Sequence, residues 1–223
     1  MSTTGAVQPA LLARPRLRGW LHVWAFGISV AAGIVLVSVS AATKGAESAF
    51  ATSVYAVTVS LLFGTSAAYH RVSWSTPTRH ALAARLDHSM IFLFIAGTYT
   101  PFALLAMPER TGRAVLAIVW AGAVGGVLLK TCWITAPRWL TVPIYLALGW
   151  VGIFVFPDLL RYGGLAAVIL IAVGGLLYTA GGIVYGLQRP DPRPLVFGFH
   201  EVFHLCTVVA AACHMVAVWL AVY

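Results

Sequence analysis

The sequence predicts an all-α protein, a bundle of seven transmembrane helices, and three observations lead there. Of 223 residues, 61% are hydrophobic and only 9% charged, and mean hydropathy is +0.91, far from the balance of a soluble domain. The apolar residues are grouped in stretches of about 20, the length a helix needs to cross a bilayer. The segments between them are short, so no separate soluble domain fits. The chain divides into a basic cytoplasmic tail, residues 1–19, and a transmembrane domain, residues 20–223.

Hydropathy windows place the helices near 20–41, 49–70, 87–107, 114–133, 140–157, 163–187 and 199–222. The first follows Arg14, Arg16 and Arg18 and runs into Ser40-Ala41-Ala42, which gives it the outline of a signal peptide. Its apolar core is too long for one. The third carries Thr98-Tyr99-Thr100-Pro101, where the proline should kink the helix and the hydroxyls can bond the carbonyls it frees. The fifth is interrupted by Pro143 and ends at Pro157, and without it the chain has six spans. Gly125, Gly126, Gly174, Gly175, Gly181, Gly182 and Gly186 lie inside spans and allow helix backbones to approach closely. The Gly182/Gly186 spacing also suits a dimer face.

With the tail in the cytoplasm, the inner segments hold Arg14, Arg16, Arg18, Arg71, Arg79, Arg85, Lys130, Arg138, Arg189 and Arg193, and the outer ones Lys44, Arg110, Arg113 and Arg161. Ten against four obeys the positive-inside rule. It puts the N-terminus inside and, after seven spans, the C-terminus outside, in a multi-pass protein of the inner (plasma) membrane. The net charge of +8 therefore sets orientation. Single basic residues scattered between apolar stretches, with no basic arm, do not make a nucleic-acid surface. The three cysteines, Cys132, Cys206 and Cys213, form no CxxC pair and lie in apolar stretches, so neither a disulfide framework nor a thiolate zinc site is implied.

Ionisable groups are costly inside a bilayer and so mark function. Four converge at one depth in this topology: His70 at the cytoplasmic end of the second helix, Asp87 at the start of the third, and His200 and His204 in the first turns of the last. His200 and His204, four residues apart, lie about 40° from each other on one face and about 6 Å apart along the axis. With His70 they form a three-imidazole set of the kind that holds catalytic Zn²⁺ while keeping a position open for water. Asp87 can then orient a ligand or serve as a base. Ser66, one turn before His70, faces the same way. Either it stabilises an oxyanion, or its hydroxyl bonds the carbonyl four residues back.

The remaining candidates have bland alternatives. His88 faces the same pocket or the backbone of the second helix. His22 approaches the site or sits at the interface beside Trp20 and Trp24. Glu201 meets the inner interface or an arginine, and His80 is solvated in a polar loop. His214, about 21 Å beyond His200 along the helix, cannot share its ion; it bonds a backbone carbonyl or lines a polar cavity.

Ser66-Ala-Ala-Tyr-His70, Leu86-Asp87-His88 leading to Ile95-Ala-Gly-Thr-Tyr-Thr-Pro101, and Phe199-His-Glu-Val-Phe-His204 together resemble the hemolysin III proteins, which belong with the progestin and adipoQ receptors and are more distantly similar to the alkaline ceramidases. The resemblance implies a seven-helix bundle with its N-terminus inside and a zinc ion at the cytoplasmic end. His70, His200 and His204 would be the ligands, Asp87 would hold the water, and Ser66 would be the serine of the SxxxH motif. Relatives commonly carry acids ahead of the first span, whereas the first acid here is Glu47.

The function expected is hydrolysis of a lipid amide or ester by a zinc-activated water. The alternative is a non-catalytic lipid sensor or membrane-homeostasis protein with a structural zinc. Cytolysis, the source of the family name, ranks below both, as does a channel, because the spans lack the charged rings of a pore. Membrane lipids are the expected partners and nucleic acid is not.

Overall fold

The computed structural model describes residues 15–223; residues 1–14, including Arg14 of the basic tail, lie outside the described residues. Helix α1 (Trp20–Lys44) is joined to α2 (Ala46–Arg71) by the single residue Gly45. Gly45 has φ +86°, in the left-handed region that glycine enters without cost. Helix α3 (Pro77–Leu105) is opened by the Thr76 hydroxyl, which accepts from the Arg79 backbone N–H, and by a proline in the first turn. It begins ten residues before the hydropathy window that predicts it, because its first turns carry Arg79, His80 and Arg85 and are too polar for such a window. His80 is therefore in helix, with its ring 5.2 Å from that of Tyr69, not in a loop.

Helix α3 continues through Pro101 as one element. The neighbouring hydroxyls bond other carbonyls than the one four residues before the proline, that of Gly97. Thr98 donates to Phe94 O at 2.8 Å and Thr100 to Ala96 O at 3.0 Å. Helix α4 (Glu109–Cys132) follows after a short turn, with Arg113 paired to Glu109 at its start.

The fifth predicted span is the one that departs most from a regular helix. Helix α5 (Arg138–Gly149) gives way to a tighter 3₁₀ segment, Trp150–Val155, then to a turn and a wide π-turn ending at Gly163. Helix α6 (Gly164–Leu187) then leads to α7 (Phe199–Val222). By length and apolarity, six stretches among the described residues can cross a membrane, one of them the 50-residue run Arg138–Leu187. That run folds back on itself. A side chain at Gly186 would meet Val142, one at Gly182 would meet Leu146, and the Trp150 indole donates to Thr179 at 3.0 Å. Rising numbers on one arm meet falling numbers on the other, so α5 and α6 pack as an antiparallel pair, and the described residues form an all-α bundle with six or seven candidate spans. Gly182 is thereby buried against Leu146 within the chain, while Gly186 stays exposed.

Helices α1 and α7 run parallel. His22 meets His204 near their beginnings, and Thr43 meets the Tyr223 hydroxyl at 2.8 Å near their ends. The start of α1 and the end of α7 accordingly sit at opposite ends of the bundle. The core centres on Leu36, Tyr55, Val59, Phe92, Val119 and Val218, while the outside is also apolar. The most apolar window of α1 has mean hydropathy 2.1, yet only 28% of it is buried. Water does not tolerate such a surface, and lipid does.

The Tyr99 hydroxyl bridges the break after α5. It donates to Gly149 O and accepts from Gly152 N–H, both at 2.6 Å. Tyr99→Phe leaves both backbone groups without that partner, and a loss of about 1–2 kcal/mol of stability is expected. Thermal unfolding in detergent should show the midpoint falling, and an unchanged midpoint would mean that the hydroxyl contributes nothing.

Candidate metal centre

Two helix ends supply the three imidazoles. His70 is in the last turn of α2, and His200 and His204 are in the first turns of α7. The start of α7 is fixed by two carboxylates: Asp191 accepts from Phe199 N–H at 2.9 Å, and Glu201 accepts from Gly198 N–H at 2.8 Å. Both acids satisfy amide donors that a helix N-terminus leaves open. Gly19, just before α1, has φ +82°, and a Cβ there would lie 2.7 Å from the His70 Cβ. Only glycine lets the tail pass this close to the end of α2.

The His70 and His200 Nε2 atoms are 3.2 Å apart. One ligand atom from each of His70, His200 and His204 lies within 4.8 Å of the others. The three rings are inclined by 57–80° to one another, with centroids 4.5–5.2 Å apart. Zinc–nitrogen bonds of about 2.0–2.1 Å in tetrahedral array require nitrogens about 3.3 Å apart, so the His70–His200 pair already has the needed separation and His204 needs only a small approach. Three neutral imidazoles suit zinc as a donor set. This group could hold a metal ion.

Around it, Asp87 Oδ2 is 4.0 Å from His70 Nε2 and 4.0 Å from His88 Nδ1. Because α3 starts early, Asp87 is well inside the helix rather than at its start. Ser66 is 2% exposed and its hydroxyl faces the Asp87 carboxylate. Thr52, Ser53, Thr58 and Thr65 on the same helix each bond the carbonyl four residues back; Ser66 does not. His88 lines the cavity, as one of its two readings expected, and its Nδ1 sits 2.6 Å from Ala84 O on its own helix rather than against the backbone of the second.

His22 points inward while Trp24 stays 69% exposed. Its ring lies flat on His204, with centroids 3.7 Å apart and planes 9° from parallel, and neither of its nitrogens has a hydrogen-bond partner. It is outside the ligand group but supports one member of it. His214 Nε2 is 3.2 Å from Ile171 O, and its ring also borders the cavity. Glu201 finds its arginine in the tail, since Arg18 Nε donates to Glu201 Oε1 at 2.5 Å. With Glu201 1% exposed, Arg18→Met should cost about 2 kcal/mol. Chemical denaturation of the purified protein would register it, and equal stability of the two proteins would contradict it.

The His200 and His204 imidazoles border one end of a cavity of about 600 Å³ that extends between α3, α5, α6 and α7 past Thr98, Tyr178 and His214 to Phe102 and Met107. This is the size of a site for a small organic ligand. Its existence was not readable from the sequence, nor was the presence of Lys130 and Arg138 in its wall. For Lys130 a signal was available: a lysine at the end of an apolar stretch is as informative as a histidine there.

The sequence matches the family described as Haemolysin-III related over residues 11–215. The chain belongs to the Haemolysin-III related family. Among its relatives, Hemolysin-3 of Bacillus cereus is 31% identical over 185 residues, covering 83% of this chain and 81% of the relative. The Monocyte to macrophage differentiation factor of Homo sapiens is 25% identical over 173 residues, covering 76% and 69%. Heptahelical transmembrane protein ADIPOR2 of Oryza sativa is 29% identical over 172 residues, covering 69% and 73%. Like its family, this Haemolysin-III related chain is a multi-pass integral membrane protein, and the matched region takes in Ser66, His70, Asp87, His200 and His204.

Proposed function

We propose that this protein is a zinc-dependent hydrolase of lipid amide or ester bonds, working at the inner face of the plasma membrane. The observation that carries the reading is the convergence of three imidazoles, with a carboxylate 4.0 Å from one of them, at the end of a long apolar cavity. His70, His200 and His204 would hold the ion, which would supply Lewis acidity toward a carbonyl and lower the pKa of water. The cavity takes the hydrocarbon chain and leaves the polar bond beside the imidazoles. Asp87 accepts a proton from the attacking water and returns it to the departing amine or alcohol. Ser66 donates its hydroxyl to the oxygen of the tetrahedral oxyanion. Water is consumed, and a carboxylic acid and an amine or alcohol are released.

Orientation rests on charge. The end bearing the histidines also bears Arg18, Arg71, Arg79, Lys130 and Arg138, and this end faces the cytoplasm with the N-terminus, leaving the C-terminus outside. The test is purified zinc-loaded protein with a panel of lipid amides and esters, in detergent and in bilayers, followed by mass spectrometry of released acids. Release that stops on chelation and returns with zinc is expected. Protein with one zinc per chain and no release from any substrate would overturn the reading.

One observation favours a second reading. All three ligands come from α2 and α7, and an ion joining two helices is also a structural clamp. In that case the protein senses lipids without turnover.

A further inference from the structure

Lys130 is 6% exposed, in the last turn of α4, and makes neither hydrogen bond nor ion pair with any described residue. Its side chain lines the cavity. A lysine serving only the charge bias of the inner face would reach water, as the exposed Arg71 and Arg79 do. The side chain is buried while its ammonium is not fully enclosed, and a cation in an apolar cavity with few counter-charges favours an anion there. Of the acids at this end, Glu201 is taken by Arg18, Asp191 caps α7, and Asp87 stands 4.0 Å from both His70 Nε2 and His88 Nδ1.

A second permanent cation lines the same cavity. The Arg138 guanidinium lies over the Tyr185 ring, 4.9 Å from its centroid, and the Tyr185 ring is in turn 5.8 Å from that of His200. Arg138 is thus one aromatic ring away from the imidazoles. The stacking holds the guanidinium by its face and leaves its N–H edge free to donate. Arg85, two residues before Asp87, donates to Thr131 O at 3.2 Å, which ties the Lys130 turn to the level of Asp87. Among the described residues that line the cavity, Asp87 is the one carboxylate, against Lys130 and Arg138.

We infer that Lys130 and Arg138 form an anion subsite at the imidazole end of the cavity, and that the ligand is an amphiphile with a phosphate-like headgroup and a single hydrocarbon chain reaching into the apolar part. Two cations of this kind bind a phosphate by charge-assisted hydrogen bonds, Arg through its planar fork and Lys as a point charge. The inference deepens the hydrolase reading by naming the substrate class, and it rests on that reading only for the claim that the ligand is cleaved.

The test uses full-length protein carrying Asp87→Asn, zinc-loaded in a neutral detergent, so that binding is read without turnover. Hexadecyl phosphate, hexadecanol and inorganic phosphate are titrated in parallel, and zinc content is measured in every sample. Hexadecyl phosphate should bind at least roughly tenfold tighter than hexadecanol. Adding Lys130→Met should remove roughly tenfold of that preference, and adding Arg138→Gln as well should bring the two ligands to parity, with hexadecanol affinity and zinc content unchanged.

A preference that survives both substitutions overturns the subsite, since the phosphate is then held elsewhere, for instance by the metal. Inorganic phosphate binding as tightly as hexadecyl phosphate overturns the amphiphile and assigns the cations to a soluble anion. If the doubly substituted protein loses hexadecanol binding, its fold is lost, and Lys130→Met and Arg138→Gln decide singly; an unchanged preference in both overturns the proposal. Selective binding by a protein whose Asp87 form hydrolyses nothing removes the enzyme and leaves the subsite.

Discussion

His204→Ala protein, purified without added chelator, should retain less than about a tenth of the zinc bound by the parent, with metal affinity reduced by more than about 100-fold. Groups that merely orient a metal ligand are worth 10–100-fold, and removing a donor itself costs more. The geometry makes this position sensitive: its ring is 4.5 Å from that of His200 and 5.2 Å from that of His70, so no other imidazole in the group can take its place without moving a helix. His22, stacked on the same ring, gives the matched control. His22→Phe keeps a flat ring against His204 and should keep parent-like zinc. Elemental analysis of the three proteins decides. Stoichiometric zinc in His204→Ala would remove the convergent site on which the functional reading rests.

Asp87→Asn should lower lipid hydrolysis by about 10²–10⁴-fold, the contribution usual for a positioned acid–base group, while zinc content stays at the parental level. Asparagine keeps the size and one carbonyl oxygen of the side chain but cannot accept the proton of water. The carboxylate stands 4.0 Å from His70 Nε2, outside the ligand group, which is why metal and activity should separate. Initial rates on whichever lipid the panel identifies, measured beside zinc content, test both halves. Parent-like hydrolysis by Asp87→Asn would take the base role away from it. Unchanged zinc, folding and cellular phenotype would favour the structural clamp over the enzyme.

Much of the site was legible because bilayer physics leaves few reasons for an imidazole or carboxylate in an apolar stretch. His70, Asp87, His200 and His204 stood out on composition alone, and helical spacing put the last two on one face. The start of α3 was not legible by the same means. Hydropathy reports where lipid is, whereas Thr76 and Pro77 report where a helix begins, and the two differ by ten residues here. His80 was misplaced for that reason.

The fifth stretch exposes a second limit. Periodicity sees apolar residues on both sides of Pro157 and cannot tell one long run from two arms, whereas the contacts of Gly182 with Leu146 and Gly186 with Val142 can. The same contacts show why a small-residue spacing is ambiguous in sequence: it marks close helix packing, and not whether the partner helix belongs to the same chain.

By itself the sequence determined the solvent of this protein, its helical class, its family and the identity of the residues able to hold a metal, since each follows from side-chain chemistry and local spacing. Only the tertiary structure decided which groups meet across helices: the flat contact of His22 on His204, Ser66 turned toward Asp87, Arg18 closing on Glu201, and two cations facing a cavity that no single helix contains. The physical reason is that a helix fixes its own faces through backbone hydrogen bonds. Which face meets which is set by close packing between segments far apart in the chain.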